Sequence, residues 1–290
     1  MDIVPQIITN SITAGSVYAL IAMGFSLVYG TTKFFNLTHG VLTAIGGYVV
    51  LYASGSLGLP LPIAIVLGIA VAALIGWGTE IVIYRPLRNR KASSMVLLVA
   101  SLGAFTALQA FVAILFGSAF RTLVSLVGER RLFHIGTASV TDIQIILVVL
   151  SVLALVGFWI LLTKTQLGRA IRAVSDDEEV SKIVGINTNR IIGVVFLIGS
   201  ALAGLAGIMV GFDTGIYPTM GLWLLLKGVI AAIVGGMGNV YGAFLGAFLL
   251  GFAENFGILY ISSEWKDAIA FAILIIFLLW RPQGILGKKK

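Results

Sequence analysis

Five polar residues stand where an otherwise apolar chain has little room for them. Glu80 and Glu254 lie near the ends of long hydrophobic runs, Lys227 lies inside another, and Asn36 and His39 precede a third. An ionisable group at membrane depth is costly and points by default to a neighbouring helix, a cavity or a transport pathway. Both carboxylates follow small residues at four-residue spacing: Gly68, Ala72 and Gly76 lead to Glu80, and Gly242, Gly246 and Leu250 lead to Glu254. That spacing turns them toward adjacent helices, where interhelical hydrogen bonding is the expected chemistry and a place in a pathway the other reading. Lys227 is expected to pair with a carboxylate or to reach an interface. No catalytic set surrounds these residues, and neither a metal nor a cofactor is expected. The chain has no cysteine, which removes thiol catalysis, disulfides and thiolate metal ligands. His134 has no grouped partners in the sequence, and no G-x-x-x-x-G-K-[ST] phosphate loop is present.

A second constellation is the loop Thr165–Asn187. Ser175 followed by Glu178 reads as a capping box, and Asp176, Asp177, Glu178 and Glu179 place negative charge at the positive end of a helix dipole. Lys182 suits the last turn and Gly185 the position just past it. Val180, Ile183 and Val184 make a small apolar face at i, i+3 and i+4. A short amphipathic helix over Ser175–Val184 is therefore expected, with Arg172 on its approach. Its acidic start disfavours an anionic lipid surface as its partner and favours a protein groove.

The elements that position these residues follow from composition. Hydrophobic residues make up 59% of 290 positions and charged residues 11%, with a mean hydropathy of +1.08. Too few charges remain to cover a water-soluble surface. Apolar blocks near the membrane-spanning length predict an all-α integral membrane protein, a polytopic helical bundle in one transmembrane domain, residues 1–290. Nine spans are expected: Ile7–Tyr29, Gly40–Tyr52, Pro62–Tyr84, Ser94–Phe116, Ile143–Thr163, Ile191–Phe212, Leu222–Gly235, Tyr241–Tyr260 and Ala268–Trp280. The second and seventh are short for a crossing, as broken or tilted helices are. Met1-Asp2 carries no basic leader, so the first apolar run is expected to be retained.

Basic residues orient the bundle. With the N-terminus outside and the C-terminus cytoplasmic, the inner segments carry Lys33, Arg85, Arg88, Arg90, Lys91, Lys164, Arg169, Arg172, Lys182, Arg190, Arg281 and Lys288 to Lys290, fourteen of the 19. Arg121, Arg130, Arg131 and Lys266 fall outside and Lys227 lies within a span, a strong positive-inside bias. The net charge of +7 is thus assigned to orientation and lipid, not to nucleic acid. Four spans on either side of a central fifth run in opposite senses, the pattern of an inverted repeat. Glycines at four-residue spacing, Gly199–Ala203–Gly207–Gly211 and Gly238–Gly242–Gly246, predict close helix packing.

The loop from Gly168-Arg169-Ala170 through Asp176–Glu179 to Gly185-Ile186-Asn187 resembles that of the branched-chain amino acid permease family of ABC importers. Four other stretches are similar to the family: Gly15-Ser16-Val17-Tyr18-Ala19-Leu20, Asn36-Leu37-Thr38-His39-Gly40, Tyr84-Arg85-Pro86-Leu87-Arg88, and the run from Tyr260-Ile261-Ser262-Ser263-Glu264 to Arg281-Pro282. The family usually has Asn-Phe-Ala-His-Gly where this chain has Asn36–Gly40, a departure close to the expected pathway. The resemblance implies eight spans as the alternative count, and residues 164–190 as a cytoplasmic loop that couples to an ATPase. It implies a non-enzymatic permease in a bacterial plasma (inner) membrane, working with cytoplasmic ABC ATPase subunits, a second identical or homologous permease subunit and an external substrate-binding protein. Urea or short amides are the alternative substrates. An ion-coupled secondary transporter is the alternative mechanism, although it would not need the acidic capped helix.

Overall fold

The computed structural model describes residues 3–126, 131–135 and 138–287. Met1, Asp2, Arg130 and Lys288 to Lys290, used above for the leader and charge arguments, lie outside the described residues.

The chain is an all-α membrane protein, with one small hairpin among the described residues. Its helices are α1 (Val4–Thr32), α2 (Thr38–Gly55), α3 (Leu61–Thr79), α4 (Arg85–Asn89), α5 (Ser94–Phe116), α6 (Asp142–Lys164), α7 (Gln166–Asp176), α8 (Glu178–Ile183), α9 (Thr188–Asp213), α10 (Met220–Gly235), α11 (Val240–Gly257) and α12 (Lys266–Trp280). A π-helical segment, Glu80–Tyr84, joins α3 to α4, so that Leu61–Asn89 runs without a break. Strands β1 (Leu132–Ile135) and β2 (Ala138–Thr141) pair antiparallel, Phe133 opposite Val140. The hairpin is too short to show a period-two pattern against its surroundings.

An apolar helix stands at each of the nine expected places. Six of the described segments are long and apolar enough to cross a membrane: Val4–Thr32, Leu61–Asn89, Ser94–Phe116, Asp142–Lys164, Thr188–Asp213 and Val240–Gly257. The 16 residues of α10 rise about 24 Å, short of a hydrocarbon core of about 30 Å. Helix ends follow local chemistry. Ser93, Asn187 and Asn239 cap the starts of α5, α9 and α11 through their side-chain oxygens, and Thr141 with Gln144 forms a reciprocal capping box at α6.

Helix α1 runs through the centre: 83% of its most apolar stretch is buried, against 22% for those of α5 and α6 at the periphery. Packing falls into matching pairs. Helix α1 lies along α11 as α9 lies along α3, α2 meets α9 as α10 meets α1, and α2 packs on α3 as α10 packs on α11. Small residues make these approaches possible, because dispersion between backbones must replace the hydrophobic drive that lipid does not supply. Gly199 sits on the carbonyl of Gly24, Gly246 on that of Ala231, and Gly207 on that of Thr43. At the centre, α2 and α10 cross within two residues of their starts, Gly40 against Gly221, with no space for a Cβ on either.

Candidate functional site

The loop helix is present but begins later than expected. Ser175 does not cap it. Ser175 belongs to the last turn of α7, and its hydroxyl donates to the carbonyl of Gly30 in α1 at 2.8 Å. The chain breaks at Asp177, whose backbone is extended (φ −152°, ψ 114°) and whose carboxylate accepts from the N–H groups of Glu179 and Val180. Asp176 therefore closes α7, while Glu178 and Glu179 occupy the first turn of α8. Both Ser175 and Asp177 are good cap residues; the contact with Gly30 takes the serine and leaves the cap to the aspartate. The C-terminal half follows expectation. Lys182 pairs with Glu178 at 2.8 Å, and Gly185 adopts φ +85°, the left-handed conformation that ends a helix without a Cβ penalty. Val180, Ile183 and Val184 are 53%, 83% and 67% exposed, an apolar face with nothing over it among the described residues. Arg172 lies one turn before the break, on α7.

From α8 a line of polar contacts leads inward. Glu178 also accepts from Thr188 at 3.4 Å, the first residue of α9. Its neighbour Asn189 accepts from Arg88 through its side chain and from Arg85 through its backbone carbonyl, each at 3.3 Å. Arg88 donates to Glu80 at 2.6 Å, and Arg85 lies 3.8 Å from the same oxygen. Glu80 is thus buried, but among the described residues no donor on a neighbouring helix holds it, in contrast to the interhelical bond that its spacing suggests. Its cations come from its own continuous helix. In a regular α-helix, residues i and i+8 are rotated by about 80°, whereas i and i+7 differ by only about 20°. The π turn adds one residue and gives Arg88 the i+7 direction. Side chains lean toward the helix N-terminus, so the long arginine reaches back to the carboxylate.

Asn36 and His39 are both buried at the start of α2. The Asn36 carbonyl oxygen accepts from the N–H of Thr38 at 3.1 Å and from the hydroxyl of Tyr84, the last π residue, at 3.0 Å. Thr38 lies 2.5 Å from the same hydroxyl and donates to the Ser101 carbonyl on α5. His39 stands edge-on to Phe25 at 6.4 Å, against the Gly24 backbone. Asn36 thereby ties the start of α2 to the end of the π segment.

Lys227 and Glu254 come together. The ammonium sits 2.5 Å from one Glu254 oxygen and 2.8 Å from Asp267 at the head of α12, and Tyr18 of α1 donates to the other Glu254 oxygen at 2.9 Å. Four helices meet at this cluster. Asp267, Tyr18, Arg85, Arg88 and Asn189 were missed as members of these two sites. Arg85, Arg88 and Tyr18 stood in motifs already singled out. Asp267 carried one signal, an acid immediately before the last expected span.

The whole chain can be placed among known proteins. The family model for the branched-chain amino acid transport system / permease component matches residues 7–278. The chain is 36% identical over 294 residues to the high-affinity branched-chain amino acid transport system permease protein LivH of Escherichia coli, covering 96% of this chain and 94% of that one. It is 35% identical over 297 residues to BraD of Pseudomonas aeruginosa, described in the same words, covering 98% and 95%. In fold it is similar to PsaBC from Streptococcus pneumoniae, solved in complex with a Fab, with a TM-score of 0.51 at 14% identity, covering 98% and 93% of the two chains. The chain belongs to the family of branched-chain amino acid transport system permease components.

Proposed function

We propose that this protein is the membrane permease subunit of an ATP-driven importer for branched-chain or other neutral amino acids. It lines the translocation pathway with a second permease subunit, receives substrate from an external binding protein, and is moved by cytoplasmic ATPase subunits that dock on α8. The names of the LivH and BraD relatives favour amino acids over urea or amides. The nine apolar helices serve as nine spans, with the N-terminus outside. The matching packing pairs on either side of α6 support an inverted repeat of four spans about a central one.

The observation that carries this reading is α8. A six-residue helix is marginal by itself, yet this one is capped by Asp177, braced by the Glu178–Lys182 pair and followed by a left-handed glycine. Its N-terminal end is fastened twice, through Ser175 of the preceding α7 to α1 and through Glu178 to α9, while its apolar face stays open. An element built this way transmits a push from a partner into the bundle. Val180→Asp with Ile183→Asp would set charge into the partner's groove, at a cost of several kcal/mol for unpaired charge. The expected result is a permease that inserts normally, loses its ATPase on purification and does not transport. Co-purification with normal transport by the double variant would refute the docking role of α8.

A further inference from the structure

A crevice of about 360 Å³ lies beside the Lys227 cluster. One wall is a single face of α10: Met220, Trp223, Leu224 and Lys227, at i, i+3, i+4 and i+7. Tyr18 of α1 and Val210 of α9 line it as well, and Thr214 and Gly215 belong to the rim beyond α9. Seven residues of helix put Lys227 about 10 Å along the axis from Met220. The crevice therefore has an apolar stretch and, at one end, a group of fixed charges.

Those charges are of both signs. Lys227 is positive and bridges two carboxylates, Glu254 and Asp267. An ammonium has three donors, and these two pairs use two of them. Glu254 has both oxygens engaged, by Lys227 and Tyr18. Asp267 is 54% exposed on its side chain, and among the described residues only one of its oxygens has a partner. One cationic donor and one carboxylate oxygen are thus left over, close together. Intramembrane charges face the bundle interior or a water-filled cavity and not hydrocarbon, so this end of the crevice is wet. In the proposed topology it opens from the outer half of the membrane, and α10, which starts at the α2 crossing, is the kind of shortened helix found at transporter sites.

We propose that this crevice is a resting site for a zwitterionic α-amino acid with an aliphatic side chain, entered from outside. The ligand carboxylate takes the third donor of Lys227, and its ammonium faces Asp267. Its side chain lies along Met220, Leu224 and Val210. This assignment rests on the permease reading above and adds to it where in this subunit the permeant sits and which chemical groups hold it. A ligand with only one of the two charges leaves either the lysine donor or the aspartate oxygen without a partner, and that asymmetry gives the selectivity.

The absence of native cysteine allows a direct occupancy test in the complete importer. Leu224→Cys puts a thiol in the apolar wall, and its alkylation by a small maleimide added from outside is timed with and without millimolar leucine. Leucine is expected to slow the reaction roughly threefold or more. Isocaproate, which is leucine without its ammonium, and isoamylamine, which is leucine without its carboxylate, are expected to protect less than half as well. Equal protection by all three would overturn the zwitterion assignment, and no protection by leucine would overturn the site. Thr214→Cys at the rim serves the same measurement if Leu224→Cys does not assemble. Leucine uptake by the unaltered importer is measured alongside: its absence would defeat the permease reading, whereas uptake without protection would defeat only the site.

Discussion

Glu80 and Glu254 occupy corresponding places, each at the end of a small-residue stripe on a helix that packs in the same way, and each is buried with a cation against it. Their surroundings differ in kind. Glu80 is neutralised by arginines of its own continuous helix, and among the described residues only Asn189 ties the group to a neighbour. Glu254 is held across helices: Lys227 from α10 neutralises it, Tyr18 from α1 donates to it, and Asp267 from α12 shares the lysine. The first arrangement stiffens one segment and leaves it linked by a few hydrogen bonds to the loop that carries α8. The second fastens four helices and retains unspent donor and acceptor capacity beside a cavity. One buried carboxylate thus serves to shape a helix, the other to join helices around a space.

The sharpest way to break this comparison is sidedness, an all-or-none effect. If the Glu80 site lies toward the cytoplasm and the Glu254 site toward the outside, an Arg90→Cys protein resists an impermeant thiol reagent added from outside and a Lys266→Cys protein reacts with it. Labelling of Arg90→Cys in sealed cells would remove the proposed orientation. Next in size is Lys227→Met. It leaves Glu254, 1% exposed, with only a tyrosine donor, and breaking a buried pair from one side costs about 3–5 kcal/mol. Thermal unfolding in detergent should show a large loss, partly recovered when Glu254→Gln is added; a wild-type midpoint for Lys227→Met alone would mean that the pair does not hold the helices.

Smaller effects sharpen the contrast. Glu80→Leu takes the carboxylate from Arg88, which keeps only Asn189 as an acceptor, and should cost about 3 kcal/mol, the low end for a buried pair broken from one side. Glu80→Gln should cost less because an amide keeps an acceptor for Arg88. Both variants should retain the α10–α11 packing, read as disulfide formation between cysteines engineered across that interface. If Glu80→Gln abolishes transport in a fully assembled complex, a role in the pathway replaces the structural one. Asp267→Asn should change stability least, by about 0.5 kcal/mol, because a half-exposed partner is screened by water. A loss as large as that of Lys227→Met would place Asp267 in the buried core of the cluster.

Much of this was legible in the residue order. The nine apolar blocks became nine helices, Gly199 and Gly246 became close contacts, and Gly185 became a left-handed helix end, because each depends on local chemistry alone. The two errors of detail arose where a distant group decides between equal local choices. Ser175 and Asp177 are both competent caps, and the carbonyl of Gly30, 145 residues away, takes the serine. Glu80 continues the small-residue face of α3, yet one added residue in the π turn brings Arg88 over it.

The sequence by itself determined the environment: a chain with 59% hydrophobic residues and 11% charged must hide its backbone in helices within lipid, and their lengths, caps and small-residue stripes follow. Only the tertiary structure decided which polar group meets which. Tyr18 and Glu254 are 236 residues apart, and no periodicity within a helix specifies a partner on another. In a bilayer, where the apolar faces of helices are nearly interchangeable, small-residue packing fixes the approach of the backbones. The charges then fall into register as a consequence of that packing.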